Sequence, residues 1–195
     1  MLITDASTYF EDVARVIANM PLAAIDRIVN VLLEAYESSR RIYLFGNGGS
    51  AALASHFACD LGKGAANGSG KRFQALALTD NIPMMTAWAN DSHYEDIFAE
   101  QLANFVRAGD IAFAISGSGN SPNVLKALKV AREAEATAVG LTGFRGGQMR
   151  DLCDICLIVP SENMQIIEDL HLSVTHAVFT TLRAKICQDQ REAVA

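Results

Sequence analysis

Apolar residues recur at helical spacing through the N-terminal part of the chain. Tyr9, Val13, Val16, Ile17 and Met20 share one face, Pro21 opens a new unit, and Ala24, Ile28, Val29, Val31, Leu32 and Ala35 carry the rhythm to about Ser39. The period then shortens. Arg41–Phe45 is a short apolar run ending at Gly46-Asn47-Gly48-Gly49-Ser50, and a small-residue helix is expected over Ala51–Leu61. A Gly-rich loop, Gly62–Gly70, leads to a strand at Phe73–Leu78 and a helix over Tyr94–Val106. Ile111–Ile115 is a further strand, followed by a serine-rich loop, Pro122 and a helix over Asn123–Glu135. Strands at Ala138–Leu141 and Ile155–Val159 and a long helix from Met164 to about Cys187 complete the pattern. Short, wholly apolar strands alternating with helices predict a parallel sheet covered on both faces. With no linker or repeat in 195 residues, a single doubly wound α/β domain over 1–195 is expected.

Composition narrows the class. Half the residues are apolar and 19 % are charged, which supplies a core and excludes a disordered chain. The formal charge of −6 argues against a nucleic-acid partner, which calls for a basic face. No apolar run reaches the ~20 residues of a membrane helix. The longest candidate, Ile166–Leu182, is interrupted by Glu168, Asp169, His171 and His176. Without a basic, apolar leader at Met1–Glu11, the expectation is a cytoplasmic protein with no membrane partner. Cys153 and Cys156 form a CxxC that opens a strand, not a helix, and Cys59 and Cys187 stand alone, so buried reduced thiols are expected.

Ligands of open α/β sheets sit where strand ends meet helix N-termini. At Gly46–Ser50 the glycines admit close backbone approach, while Asn47 and Ser50 offer hydrogen bonds. Gly46, Gly48 and Ala51 also fit a dinucleotide fingerprint, but the acid required ~20 residues later is absent, so no nucleotide cofactor is expected. Ser116, Ser118 and Ser121 bring three hydroxyls to one helix start, which suits a phosphate monoester. Ser121 is placed to cap that helix.

His56 and Asp60 stand i,i+4 on the helix leaving the first loop. The spacing serves two ligands of one metal, an acid–base pair, or an ordinary surface pair. On the last helix, His171 and His176 are ~140° apart and are expected not to share a site. Glu168 and His176 are ~12 Å apart along the axis, a long reach for one metal. Asn90-Asp91 could meet sugar hydroxyls or cap a loop.

Taken together, Gly46–Ser50, His56-Phe57-Ala58, Asn90-Asp91, Ile115–Ser121, Leu141-Thr142-Gly143, Glu168 and His176 resemble the sugar-isomerase (SIS) domain family, and within it the phosphoheptose isomerases. The likeness extends from the N-terminal helices to about Ile186. It implies a three-layer α-β-α sandwich with a flavodoxin-like, five-stranded parallel sheet behind an N-terminal helical segment. It also implies a homotetramer with active sites between subunits. The implied reaction is an aldose–ketose isomerisation through an enediol, from sedoheptulose 7-phosphate to D-glycero-D-manno-heptose 7-phosphate. Proton transfer falls on Asp60 and His176, and zinc on His56, Asp60, Glu168 and His176. Sugar-phosphate contacts fall on Asn47, Gly48, Gly49, Ser50, Asn90, Asp91, Ser116, Gly117, Ser118, Ser121 and Glu168.

Four positions depart from the family pattern. Asp60 stands for a catalytic Glu, Glu168 for a Gln and Gly117 for a Thr, and Gly62–Arg72 replaces a basic, Pro-containing stretch. The alternatives are an isomerase of another sugar phosphate and a non-catalytic, sugar-phosphate-binding SIS adaptor.

Overall fold

The central strands carry apolar side chains on both sides, so each face of the sheet needs its own cover. In the computed structural model of the chain, which describes residues 3–64 and 71–194, the strands form one all-parallel sheet. β1 (Arg41–Gly46), β2 (Gln74–Ala77), β3 (Ile111–Ile115), β4 (Thr137–Thr142) and β5 (Ile155–Ile158) take the order β2-β1-β3-β4-β5. This is the expected flavodoxin-like order. Its direction of winding switches between β1 and β3, so the two glycine- and serine-rich loops leave the sheet on either side of the crevice where such folds bind ligands.

Alternate strand residues feed two cores. Ile42, Leu44, Ile111, Phe113, Ile115, Val139 and Leu157 pack beneath α1 (Ala6–Ile17), α2 (Leu22–Glu37), α3 (Gly49–Cys59) and α8 (Met164–Val194). Tyr43, Phe45, Ala112, Ala114 and Ala138 face α4 (Ile82–Asp91), α5 (Ala99–Ala103), α6 (Pro122–Glu133) and α7 (Met149–Leu152). The N-terminal helices therefore cover one face of the same domain.

The elements agree with the hydrophobic pattern except in a few places. The helix expected over Tyr94–Val106 is broken into a 3₁₀ turn, Tyr94–Asp96, and the short α5. Asp96 is the cause: its buried carboxylate takes hydrogen bonds from the Ser92 hydroxyl and the Lys126 ammonium, and the chain turns to bury Ile97 and Phe98. The helix expected to end at Leu61 instead passes at Asp60 into a π-helical turn, Asp60–Gly64. The rest of the expected Gly-rich loop, 65–70, lies outside the described residues. α4 and the one-turn α7 escaped a reading based on periodicity. The cysteines are free but not buried as expected, with Cys59 exposed and the other three half-buried. Among the described residues, no single helix is long and apolar enough to cross a membrane.

β1 ends at Gly46 because nothing larger fits. An added Cβ would lie 2.5 Å from the Ile115 carbonyl oxygen and 2.8 Å from the Ser50 Cβ. A Gly46→Ala substitution is expected to lower stability by about 1–3 kcal/mol, the usual cost of overpacking, read as a reduced urea midpoint.

Candidate active site

The crevice takes shape from the two loops on either side of the switch. Gly48 precedes α3 with φ of 54°, a left-handed conformation that glycine adopts without strain, and no side chain caps the helix. Ser121 occupies the N-cap position of α6, but its hydroxyl does not cap as expected. It lies 3.1 Å from the Ser116 hydroxyl. Ser118 Oγ accepts from the Asn120 N–H at 3.2 Å. Two helix starts without side-chain caps thus meet near three hydroxyls, an arrangement suited to an anion.

A half-buried amide pair locks these loops together. Asn47 Nδ2 donates to Asn123 Oδ1 at 2.9 Å, and Asn123 Nδ2 donates back to Asn47 Oδ1 at 2.8 Å. The Tyr94 hydroxyl also donates to Asn47 Oδ1. Asn47 is therefore first a brace between loops, and Asn123 and Tyr94 are partners that sequence reasoning missed. Asn123 follows Pro122 like any first-turn helix residue, and no local signal marks its distant contact.

α8 crosses the carboxyl ends of the strands. Gly117, the position that departs from the family's threonine, has its side-chain space filled by α8: an added Cβ would lie 2.4 Å from Met164 Sδ. Ile167 fills the same role against Gly143, and the Glu168 carboxylate lies over Gly49. The Tyr9 hydroxyl of α1 donates to Asp169 of α8, and that bond pushes the phenol pKa up to about 12.

Between α3 and α8 is a cavity of about 430 Å³, whose lining includes Gly49, Ser50, His56, Glu168, His171 and His176. At its side the Nε2 atoms of His56 and His176 stand 2.9 Å apart, with Asp60 Oδ2 at 3.4 Å from the first and 3.9 Å from the second. The shorter carboxylate at Asp60 therefore still reaches both imidazoles. Asp60 Oδ2 is buried without a hydrogen-bond partner. A tetrahedral zinc ion with bonds of ~2.0–2.1 Å needs donors ~3.3 Å apart, and the three observed separations bracket that value. The orphaned oxygen, the mixed N/O donor set and the spacing fit a divalent metal. Glu168 lines the same cavity but stands outside this three-residue cluster.

The remaining expected residues fall at different distances from the cavity. Gly48 adjoins Gly49 of the lining, and the serine loop meets α8 where Met164 and Ile167 pack on Gly117. Asn90 and Asp91 sit at the exposed end of α4, where Asn90 Nδ2 donates to Asp91 Oδ1. Among the described residues, no contact joins them to the cavity. His171 corrects the sequence reading. It lines the cavity together with His176, although only His176 joins the cluster.

With this geometry in view, comparison with known proteins is decisive. The family model for the SIS domain matches residues 8–143. Phosphoheptose isomerases from a Bradyrhizobium species and from Paramagnetospirillum magneticum are 39 % and 43 % identical, over 86 % and 87 % of this chain and 84 % and 83 % of theirs. The chain belongs to the SIS domain family, among its phosphoheptose isomerases. The structure of a phosphoheptose isomerase from Francisella tularensis superimposes on this SIS domain with a TM-score of 0.83 at 30 % identity, covering 90 % of this chain and 95 % of that one.

Burial holds the His171 imidazole neutral, with its pKa down at about 4 against an ordinary 6.5. A depressed histidine pKa favours folding above the unfolded value, and that contribution is lost as pH falls from about 6.5 towards 4. Between pH 7.5 and 5 this SIS domain is expected to lose roughly 2 kcal/mol more stability in urea titrations than its His171→Asn variant.

Proposed function

We propose that this protein converts sedoheptulose 7-phosphate to D-glycero-D-manno-heptose 7-phosphate by an enediol mechanism. The observation that carries the reading is the cluster of His56, Asp60 and His176, two of which line a cavity, together with an uncapped, serine-rich helix start. Relatives named phosphoheptose isomerase at 37–43 % identity support it.

Ser116, Ser118 and Ser121, with the N–H groups at the start of α6, hold the phosphate, and Gly48, Gly49 and Ser50 approach the sugar at the start of α3. A hydrogen must leave C1 of the ketose and a proton must reach C2. The carbonyl oxygen gains a proton and the C1 hydroxyl loses one. Asp60 and His176 exchange these protons, since their ends stand 3.9 Å apart beside the cavity. His56 orients the pair. A zinc ion held by His56, Asp60 and His176, with Glu168 as a fourth ligand or a sugar contact, supplies Lewis-acid polarisation of the carbonyl oxygen when bound.

The assembly reading is a homotetramer whose sites lie between subunits. It is supported by α4, which buries none of its residues within the protomer, and by the exposure of Phe10, Ile17, Leu22 and Ile82. A second copy would also give Asn90 and Asp91 a site to serve. The protein acts in the cytoplasm, where sugar phosphates are made and used.

Asp60→Asn and His176→Ala are each expected to lower kcat by at least ~100-fold, the usual contribution of a positioned acid or base. Ser118→Ala is expected mainly to raise KM. Exhaustive chelation is expected to remove activity, restored by about one zinc ion per protomer on the tetrahedral-site reading. Undiminished turnover by Asp60→Asn would remove that residue from the mechanism, and a family-wide panel of sugar phosphates turned over in preference to the heptulose would replace the substrate.

A further inference from the structure

His171 is a buried side chain that the mechanism above does not use. It is 1 % exposed, yet it lines the cavity between α3 and α8. Its ring hydrogen-bonds the backbone carbonyl of Thr142 at the end of β4. Nε2 is buried with no partner, so the proton that Thr142 receives is carried by Nδ1, and Nε2 presents a bare lone pair. This tautomer is fixed by the fold: a carbonyl oxygen can only accept, so the nitrogen facing it must donate.

An acceptor left without a donor in a buried position costs about 1–3 kcal/mol, and folded proteins leave few such atoms unsatisfied. Nε2 stands outside the His56–Asp60–His176 cluster, so the metal-type donor set does not account for it. The wall that α8 presents to the cavity carries Glu168 and Asp169 as well as His171. Asp169 is already engaged by Tyr9, and ionised carboxylates can only accept. This wall is rich in acceptors. The serine loop on the other side of the crevice, with its hydroxyls and helix-start N–H groups, is rich in donors. A ligand spanning the two must itself be polarised, with acceptor oxygens at one end and hydroxyl donors at the other. A phosphate monoester of a polyhydroxylated chain has that polarity, and the Glu168 and Asp169 carboxylates on the α8 wall repel its phosphate.

We infer that His171 Nε2 accepts a hydrogen bond from one hydroxyl of the substrate's carbon chain, fixing the chain's register between the serine loop and the proton-transfer pair. The inference rests on the sugar-phosphate isomerase reading and adds a specificity residue to it. His171 differs from Asp60 and His176 in role, since it moves no proton and sets where the chain lies.

Two variants separate the ring's two bonds. The amide of His171→Asn can keep the donor to the Thr142 carbonyl while removing the acceptor. His171→Gln reaches further and can restore an acceptor near the Nε2 position. Binding of sedoheptulose 7-phosphate and of a series of analogues, each lacking one chain hydroxyl, is measured by calorimetry on zinc-loaded protein, with turnover of the parent sugar scored in parallel. His171→Asn is expected to weaken binding about tenfold for the parent and for every analogue but one, the loss of a single buried hydrogen bond. For that one analogue, variant and unaltered protein should bind equally. His171→Gln should recover part of the loss. Uniform weakening across the whole series would assign His171 a purely structural role and overturn the inference, as would unchanged binding throughout. Binding without turnover by the unaltered protein would count against the isomerase reading alone, leaving the His171 comparison to stand on its affinities. Absence of binding by the unaltered protein would overturn both.

Discussion

The site depends on one packing contact: the N-terminal half of α8 laid across the carboxyl ends of β1, β3 and β4. Ile166, Ile167, Leu170, Val174 and Val178 are buried along it. At about 1.5–3 kcal/mol for each fully buried aliphatic side chain, this contact holds the helix in place with far more free energy than any polar bond at the site. Because it is held there, Met164 and Ile167 close over Gly117, Glu168 reaches Gly49, His171 reaches Thr142, and His176 meets His56 and Asp60. One helix therefore brings together loops that are far apart in the chain. The small residues at Gly117 and Gly143 are the complement of that contact, since a Cβ there would meet Met164 Sδ at 2.4 Å and Ile167 Cδ1 at 2.3 Å.

The crevice has opposite hydrogen-bonding character on its two sides. Helix starts and serine hydroxyls provide donors near β3, while α8 provides carboxylates and a neutral imidazole as acceptors. That division explains how a protein with a net charge of −6 can bind an anion: a few oriented N–H groups act at short range, where the average charge has little influence. It also keeps the phosphate away from the proton-transfer pair. On the proposed reading, Asp60 and the two imidazoles need a reactive carbon beside them, not a phosphate.

Much of this was legible in the residues. The five strands, the two ligand loops and the long last helix follow from the change of hydrophobic period and from the glycine and serine clusters. His56 and Asp60 at i,i+4 announced a shared face, the family resemblance added Glu168 and His176, and the structure brings His176 to the pair. What could not be read was non-local. The Asn47–Asn123 pair and the break at Asp96 depend on partners distant in sequence, for which no periodic signal exists. His171 was misplaced because angular separation on a helix excludes a shared site only when the site is narrower than the helix. Here the side of α8 that lines the cavity is broad enough to include both histidines. Glu168 illustrates the converse. Its axial distance from His176 was a fair objection, and the structure leaves it in the cavity but outside the three-donor cluster.

The central claim is that this arrangement moves a proton between two adjacent carbons of a phosphorylated ketose. The most direct test is NMR of sedoheptulose 7-phosphate incubated in heavy water with zinc-loaded protein. The account predicts an aldose phosphate carrying deuterium at C2, because an enediol is protonated from groups that exchange with solvent. Conversion with the original hydrogen retained in full at C2 would point to direct hydride transfer and contradict the proton-transfer roles of Asp60 and His176. Absence of both product and exchange would contradict the isomerase reading itself.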